Sequence, residues 1–177
     1  MHAAGAGFVV QFEAMTEPTP IEEELAAFLC GPVSISAASR AAGNVPALVR
    51  CSGCRVSADR RRVTLYLARS KSAPVIDAVR ATGAVAVVFS LPSSHRSVQL
   101  KGTDAEVGDP TPGDAEAVAR YIEAFVGEIE PLGYSGAMGR ALLWVDPADL
   151  AALTFTPSAA FVQTPGPGAG APLRLTS

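Results

Sequence analysis

The spacing of apolar residues changes several times between residues 19 and 163, and each change marks an expected element. TPIEEELAAFLCG predicts a first helix. Thr19 is placed to cap it, Pro20 suits the first helical position, and Glu22 follows Thr19 by three residues as a capping box requires. Glu22, Glu23 and Glu24 favour the positive end of the helix dipole, and Gly31 is a natural stop. Strand patterns follow over residues 33–38, 46–57 and 63–68, with polar turns at AAGN and at Asp59-Arg60-Arg61. Val75, Ile76 and Val79 then carry a helix over about residues 72–81, which stops at Gly83. Residues 84–90 are apolar on both faces, as a strand enclosed in a barrel or sandwich must be.

After an LPSSH turn, residues 97–107 alternate more openly, with Ser97, Gln99 and Lys101 on one face and Val98 and Leu100 on the other. Residues 114–129 return to a helical period through Ala115, Val118, Ile122, Phe125 and Ile129. Two further strands are predicted at 141–145 and 153–163, the second bent or at an edge because Pro157 cannot donate to a ladder. The order predicts an α+β fold, a small barrel of mostly antiparallel strands with flanking helices, over residues 19–163. Residues 1–18 lack a sustained period and are expected to be a disordered extension. TPGPGAGAP leads us to expect a flexible tail over 164–177.

Composition narrows this picture. A length of 177 residues with 49% hydrophobic content suits one domain with a sizeable core. The net charge of −3, from 14 basic and 17 acidic residues, argues against a nucleic-acid partner held by bulk electrostatics. No apolar run approaches the roughly 20 residues of a membrane span. MHAAGAGFVVQFEAM lacks the basic region and cleavage pattern of a secretory signal. The 3 cysteines, an odd number, fit a reducing compartment. These features lead us to expect a cytoplasmic protein without a membrane partner.

Most familiar catalytic patterns are missing. Cys51-Ser52-Gly53-Cys54 is a single C-x-x-C, without the second ligand pair of a structural zinc site or the helix start of a thioredoxin motif. On an extended strand its two thiols would diverge, so ordinary strand cysteines are expected and no metal. The histidines are His2 and His95, and neither accompanies a G-x-S-x-G elbow. No P-loop or G-x-G-x-x-G stands between a strand and a helix. No catalytic acid or base is assigned, although histidine is the residue type suited to proton transfer near neutrality and makes His95 the best candidate.

Two cationic clusters remain. Arg69-Ser70-Lys71-Ser72 joins an apolar strand to a helix, where free amides, hydroxyls and cations could hold a phosphate together, or could be a solvated turn. Arg50 lies on a strand among the apolar residues Leu48, Val49 and Cys51. His95-Arg96, followed by Gln99 and Lys101, gives a polar strand face that is either solvated or a pocket wall.

LYLARSKSAPVIDAVRATGAVAVVFS and HRSVQLKG together resemble the pyridoxamine 5′-phosphate oxidase-like FMN-binding split-barrel family, over about residues 20–163. The resemblance implies a split β-barrel, FMN bound at a homodimer interface, and oxidoreductase chemistry on a small-molecule substrate or electron donor. It places Arg50, Arg69, Ser70, Lys71 and Ser72 at the phosphate, and Arg96, Ser97 and Gln99 on the strand beside the flavin. Relatives with a deazaflavin, with haem or with no cofactor make storage or sensing the alternative to turnover. Ser97 stands where the family has glutamine, Leu67 where it often has threonine, and the helix after Lys71 is longer than in the true oxidase. The C-terminal tryptophan-and-arginine substrate signature is missing, so oxidation of pyridoxamine 5′-phosphate is not expected.

Overall fold

The structure is a computed structural model that describes residues 19–175. In chain order these form α1 (Glu23–Leu29), β1 (Ser34–Arg40), β2 (Pro46–Arg50), β3 (Cys54–Val56), β4 (Val63–Ala68), α2 (Ala73–Thr82), β5 (Val85–Ser90), β6 (Ser97–Gly102) and β7 (Glu106–Gly108). Then come α3 (Asp114–Ile129), α4 (Gly136–Leu143), β8 (Leu150–Phe155), β9 (Ala159–Val162) and β10 (Pro172–Leu173). The strands build a six-stranded sheet, β10-β9-β6-β5-β1-β2, and a four-stranded sheet, β3-β4-β8-β7. Every pairing is antiparallel. The fold is therefore α+β, as the sequence predicts. Among the described residues no helix is long and apolar enough to cross a membrane.

Both sheets feed one core. Ile35 and Ala37 of β1, Val87 and Phe89 of β5, and Leu100 of β6 meet Leu65 and Leu67 of β4 and Leu153 and Phe155 of β8 in a single buried cluster. All six residues of β4 are buried. That strand therefore reads as a continuous apolar run, interrupted only by Thr64 and Tyr66, whose polar atoms have partners.

Three expected strands are each divided in two. Residues 46–57 split into β2 and β3 around Cys51-Ser52-Gly53, because β2 pairs with β1 in one sheet and β3 with β4 in the other. Residues 97–107 split into β6 and β7, and residues 153–163 into β8 and β9, again with the halves in different sheets. Pro157 lies in the second break, where no ladder bond is asked of it. The burial alternation of β2 stops at Cys51, Ser52 and Gly53, which are all buried, and resumes in β3 with the opposite parity.

The strand expected at 141–145 is instead the end of α4. Ser135 caps this helix by accepting a hydrogen bond from the Met138 amide, and Gly139 lets it approach α3. A Cβ there would lie 2.8 Å from Cδ1 of Ile129. The first helix also starts later than expected: Glu22 is its cap residue and makes no side-chain capping bond. The Ile21 amide donates to the Arg60 carbonyl at 2.7 Å and the Glu22 amide to the Leu175 carbonyl at 2.8 Å, so tertiary partners take the place of the capping box. The Leu175 contact corrects the expectation for the tail, because β10 pairs with β9 and residues 164–175 fold back on the domain. The edge of β9 had unpaired backbone groups, which this segment satisfies. The extension expected at 1–18 lies outside the described residues.

A polar network fixes α3 on the small sheet. Asp114, the first residue of α3 and only 3% exposed, accepts hydrogen bonds from the Tyr66 hydroxyl at 2.5 Å and from the Thr111 amide and hydroxyl at 2.7 and 2.8 Å. Arg55 donates to the Tyr66 oxygen at 3.0 Å and lies 3.3 Å from the Asp114 carboxylate. Burial pushes the Asp114 carboxyl up, but the bonds from Tyr66 and Thr111 and the Arg55 charge outweigh it and hold the carboxyl below its ordinary range. A lowered folded-state pKa stabilises the fold above the unfolded pKa, and this contribution is lost as the pH falls through the folded value. Asp114→Asn is expected to cost about 1.5–3 kcal/mol near neutrality. The gap to wild type should narrow below about pH 4 in urea titrations across pH.

Gly53 makes the bend possible. Its φ is +142°, and a Cβ would lie 3.2 Å from Cδ2 of Tyr66 and 3.6 Å from the Tyr121 side chain. Gly53→Ala should lower stability by about 1–3 kcal/mol, read as a drop in the denaturant midpoint at unchanged slope.

Candidate functional site

The bend at Cys51-Ser52-Gly53 sets the position of the site as well as the fold. Its backbone is tied on both sides: the Cys51 amide donates to Ile35 of β1 at 3.0 Å and the Ser52 amide to Tyr66 of β4 at 2.7 Å. The buried Ser52 hydroxyl donates to the Leu143 carbonyl at 2.7 Å and so holds the C-terminus of α4 against the bend. Arg50, the last residue of β2, is exposed and donates to the Ser34 hydroxyl at 2.8 Å. Its guanidinium is left at the mouth between β2 and α4.

Two clefts meet at that point. One, of about 360 Å³, is lined by Leu48, Arg50, Ser52, Lys71, Ser72, Leu142, Trp144 and Val145. The other, of about 430 Å³, is lined by Ser34, Arg50, Leu91, His95, Ser97, Phe125, Tyr134, Met138 and Leu142 among others. Arg50 and Leu142 belong to both walls. Each volume lies in the range of small-ligand pockets.

The four residues of the cationic turn divide between two environments. The Ser70 amide and hydroxyl both bond the Asp149 carboxylate, at 2.9 and 2.5 Å. The Ser70 hydroxyl, with the amide beside it, holds the Asp149 carboxyl below its ordinary range. Arg69 pairs with Asp109 at 2.8 Å. Half of the turn thus already holds anions, and those anions belong to the protein. Lys71 and Ser72 face the smaller cleft. Lys71 makes no hydrogen bond or ion pair among the described residues. Ser72 is 1% exposed, and its hydroxyl is buried without a hydrogen-bond partner. Although Ser72 is the cap residue of α2, its side chain makes no capping bond. A buried hydroxyl left unpaired costs about 1–3 kcal/mol.

The second cluster is dispersed. Arg96 lies over the Phe28 ring at 4.6 Å and pairs with Glu24 at 3.2 Å, on the α1 side of the molecule. Ser97 lines the larger cleft and donates to the Ser90 hydroxyl at 2.7 Å. Gln99 sits at the middle of the large sheet, opposite Val88 of β5 and Phe161 of β9, and lines neither cleft. His95, which adopts φ +58° in its turn, does line the larger one. Sequence reasoning missed Ser34, Ser52 and Trp144 as wall residues and Asp149 as the internal anion. Only Trp144, the single tryptophan, carried a visible signal, and it sat in a segment assigned to a strand.

No protein-family model matches this chain, and no curated protein matches it. Solved structures do. HupZ of Group A Streptococcus aligns with a TM-score of 0.51 and 15% identity, over 85% of this chain and 99% of that one. An F420 reductase aligns with a TM-score of 0.50 and 15% identity, over 76% and 93%. At a TM-score of 0.47 and 15% identity stands a putative pyridoxamine 5′-phosphate oxidase from Lactobacillus delbrueckii, over 80% and 93%. At these identities HupZ and the F420 reductase establish a shared fold and nothing about a ligand.

Ser52→Ala tests the coupling between bend and cleft. Loss of its bond to Leu143 is expected to cost about 1–2 kcal/mol. Amide hydrogen exchange should accelerate in α4 while β4 stays protected.

Proposed function

We propose that this chain binds FMN in the cleft between β2, the Lys71–Ser72 turn and α4, and acts in the cytoplasm as an oxidoreductase on a small-molecule substrate or electron donor. The observation that carries the reading is the buried, unpartnered Ser72 hydroxyl beside Lys71 and Arg50. A phosphate needs hydrogen-bond donors and positive charge in one place. Ser72 would donate through its hydroxyl, Lys71 and Arg50 would supply charge, and the Ala73 amide at the start of α2 would add its own, Pro74 having none to give. Leu48, Leu142, Trp144 and Val145 give apolar walls suited to a ring system. When bound, the flavin supplies the redox chemistry, while these side chains bind and orient it and exclude water.

A homodimer belongs to the same reading. Leu48 is 74% and Trp144 60% exposed, and Tyr134, Met138 and Leu142 are exposed along the same two clefts. Apolar surface around a binding cleft suits coverage by a second copy, which would close the site from the open side. A haem- or deazaflavin-binding protein without turnover is the second reading, and it draws on His95 in the wall of the larger cleft.

Titration of purified protein with FMN, followed by flavin fluorescence, tests the proposal. Ser72→Ala and Lys71→Ala should each weaken binding about 10- to 100-fold, equivalent to loss of a charge-assisted hydrogen bond. Ser70→Ala should change it by no more than about twofold, because Asp149 already engages that hydroxyl. Absorbance near about 450 nm retained through gel filtration would accompany binding. Unaltered affinity in both cleft variants, or a Soret band in place of flavin absorbance, would overturn the FMN reading. Oxidation of reduced nicotinamide or reduced deazaflavin by the flavin-loaded dimer then separates turnover from storage.

A further inference from the structure

The larger cleft has a polar wall that FMN binding in the smaller one leaves unused. Ser34 of β1 stands opposite Ser90 of β5, and Ser90 stands opposite Ser97 of β6, so three serines lie side by side across the large sheet. All three line the cleft of about 430 Å³. The Ser34 oxygen accepts a hydrogen bond from Arg50 at 2.8 Å, and the Ser90 oxygen accepts one from Ser97 at 2.7 Å. The protons of Ser34 and Ser90 themselves have no acceptor among the described residues. Arg50 bonds only Ser34 and forms no ion pair among the described residues, which leaves the rest of its guanidinium fork to a ligand. No aspartate or glutamate stands among the residues lining the cleft.

The wall supplied by the helices is apolar. Phe125 and Ile129 of α3 are its buried part, and Tyr134, just before α4, with Met138 and Leu142 of α4, is its exposed part. A ligand that suits both walls carries a charged acceptor group at one end and a flat apolar body at the other. A carboxylate meets the first requirement: its two oxygens match the guanidinium fork and can accept from the two serine hydroxyls. An aromatic ring meets the second, with ring contacts to Phe125 and Tyr134 and a sulfur contact to Met138. Charge favours a carboxylate over a dianionic phosphate, because Lys71 lines only the smaller cleft and Arg50 is the one permanent cation in this wall.

We propose that the larger cleft binds an aromatic monocarboxylate, its carboxylate held by Arg50, Ser34 and Ser90 and its ring by Phe125, Tyr134 and Met138. Ser97 is a positioning residue, since its bond fixes the Ser90 hydroxyl. Arg50 and Leu142 belong to both clefts, so the bound acid stands next to the flavin and is the small-molecule substrate. That role rests on the FMN reading, whereas binding of the acid does not.

Calorimetric titration of the full chain with cinnamate, and with cinnamamide as its uncharged counterpart, tests the proposal. Cinnamate should bind saturably without added FMN, and about 10- to 100-fold more tightly than cinnamamide, the difference being the charge-assisted hydrogen bonds. In Arg50→Gln the acid and the amide should bind alike. Ser90→Ala should weaken cinnamate about 10-fold and leave FMN affinity as in the wild type, because Ser90 lines only the larger cleft. Met138→Trp, at an exposed position, should fill the cleft and abolish cinnamate binding. Equal affinity of the wild type for acid and amide, unaltered cinnamate binding in both Arg50→Gln and Met138→Trp, or displacement of bound cinnamate by FMN would each overturn the proposal. The two readings fail separately. Cinnamate bound as described with no FMN binding overturns the FMN reading and leaves this site standing, and FMN binding without cinnamate binding overturns this site alone. Far-ultraviolet circular dichroism of the variants shows that they are folded, so lost binding counts.

Discussion

Between Arg50 and Cys54 the chain has to leave the large sheet and enter the small one, and most of the architecture follows from how that bend is held. The backbone there cannot complete a ladder with either sheet, yet it is buried and its polar groups need partners. Cys51 bonds back to β1, Ser52 and Gly53 bond across to β4, and the Ser52 hydroxyl reaches the end of α4. Gly53 gives the bend a conformation that other residues rarely adopt, beneath Tyr66 and Tyr121. The same Tyr66 anchors α3 through Asp114. One short segment thus joins the two sheets, the two long-range helix contacts and the wall on which Arg50 projects.

Electrostatics around the adjacent turn show how a protein reserves some cations and consumes others. Asp149 accepts hydrogen bonds from the Ser70 amide and hydroxyl and feels the charges of Arg69 and Lys71, while Asp109 pairs with Arg69. These contacts are exposed and add little to stability. Lys71 and Ser72 line the smaller cleft on the other side of the turn. A buried unpartnered hydroxyl there is an unfavourable feature in the isolated fold and a favourable one beside an anion.

Sheet edges are treated in different ways according to their surroundings. The edge of β9 is covered by β10, and α1 packs against β3. The edge of β2 carries exposed Leu48 next to the clefts.

The alternation and helical periods in the sequence determined most elements, because burial of one face leaves its mark on composition whichever sheet a strand joins. β4, α2, β5 and α3 were legible in this way, with the α+β class and the cationic turn between β4 and α2. The points at which strands change sheets were not legible, since they depend on which strand each half pairs with: β2 with β1 but β3 with β4, and β8 with β4 but β9 with β6. α4 was misread because Ala141, Leu142 and Leu143 form a short apolar run that suits a strand as well as a helix, and its contact with α3 through Gly139 decided the matter. For the site, the sequence determined that Ser70, Lys71 and Ser72 stand together, but not which of them were already satisfied. That depended on Asp149, 79 residues away from Ser70, and on the pairing of β4 with β8 that brings it near. Likewise, the divergence of Cys51 and Cys54 was legible, whereas the full burial of Cys51 at the bend depended on the packing of both sheets. Residue types and local periods are properties of the chain. Which polar group meets which partner is a property of contacts between distant segments, and only the tertiary structure makes those.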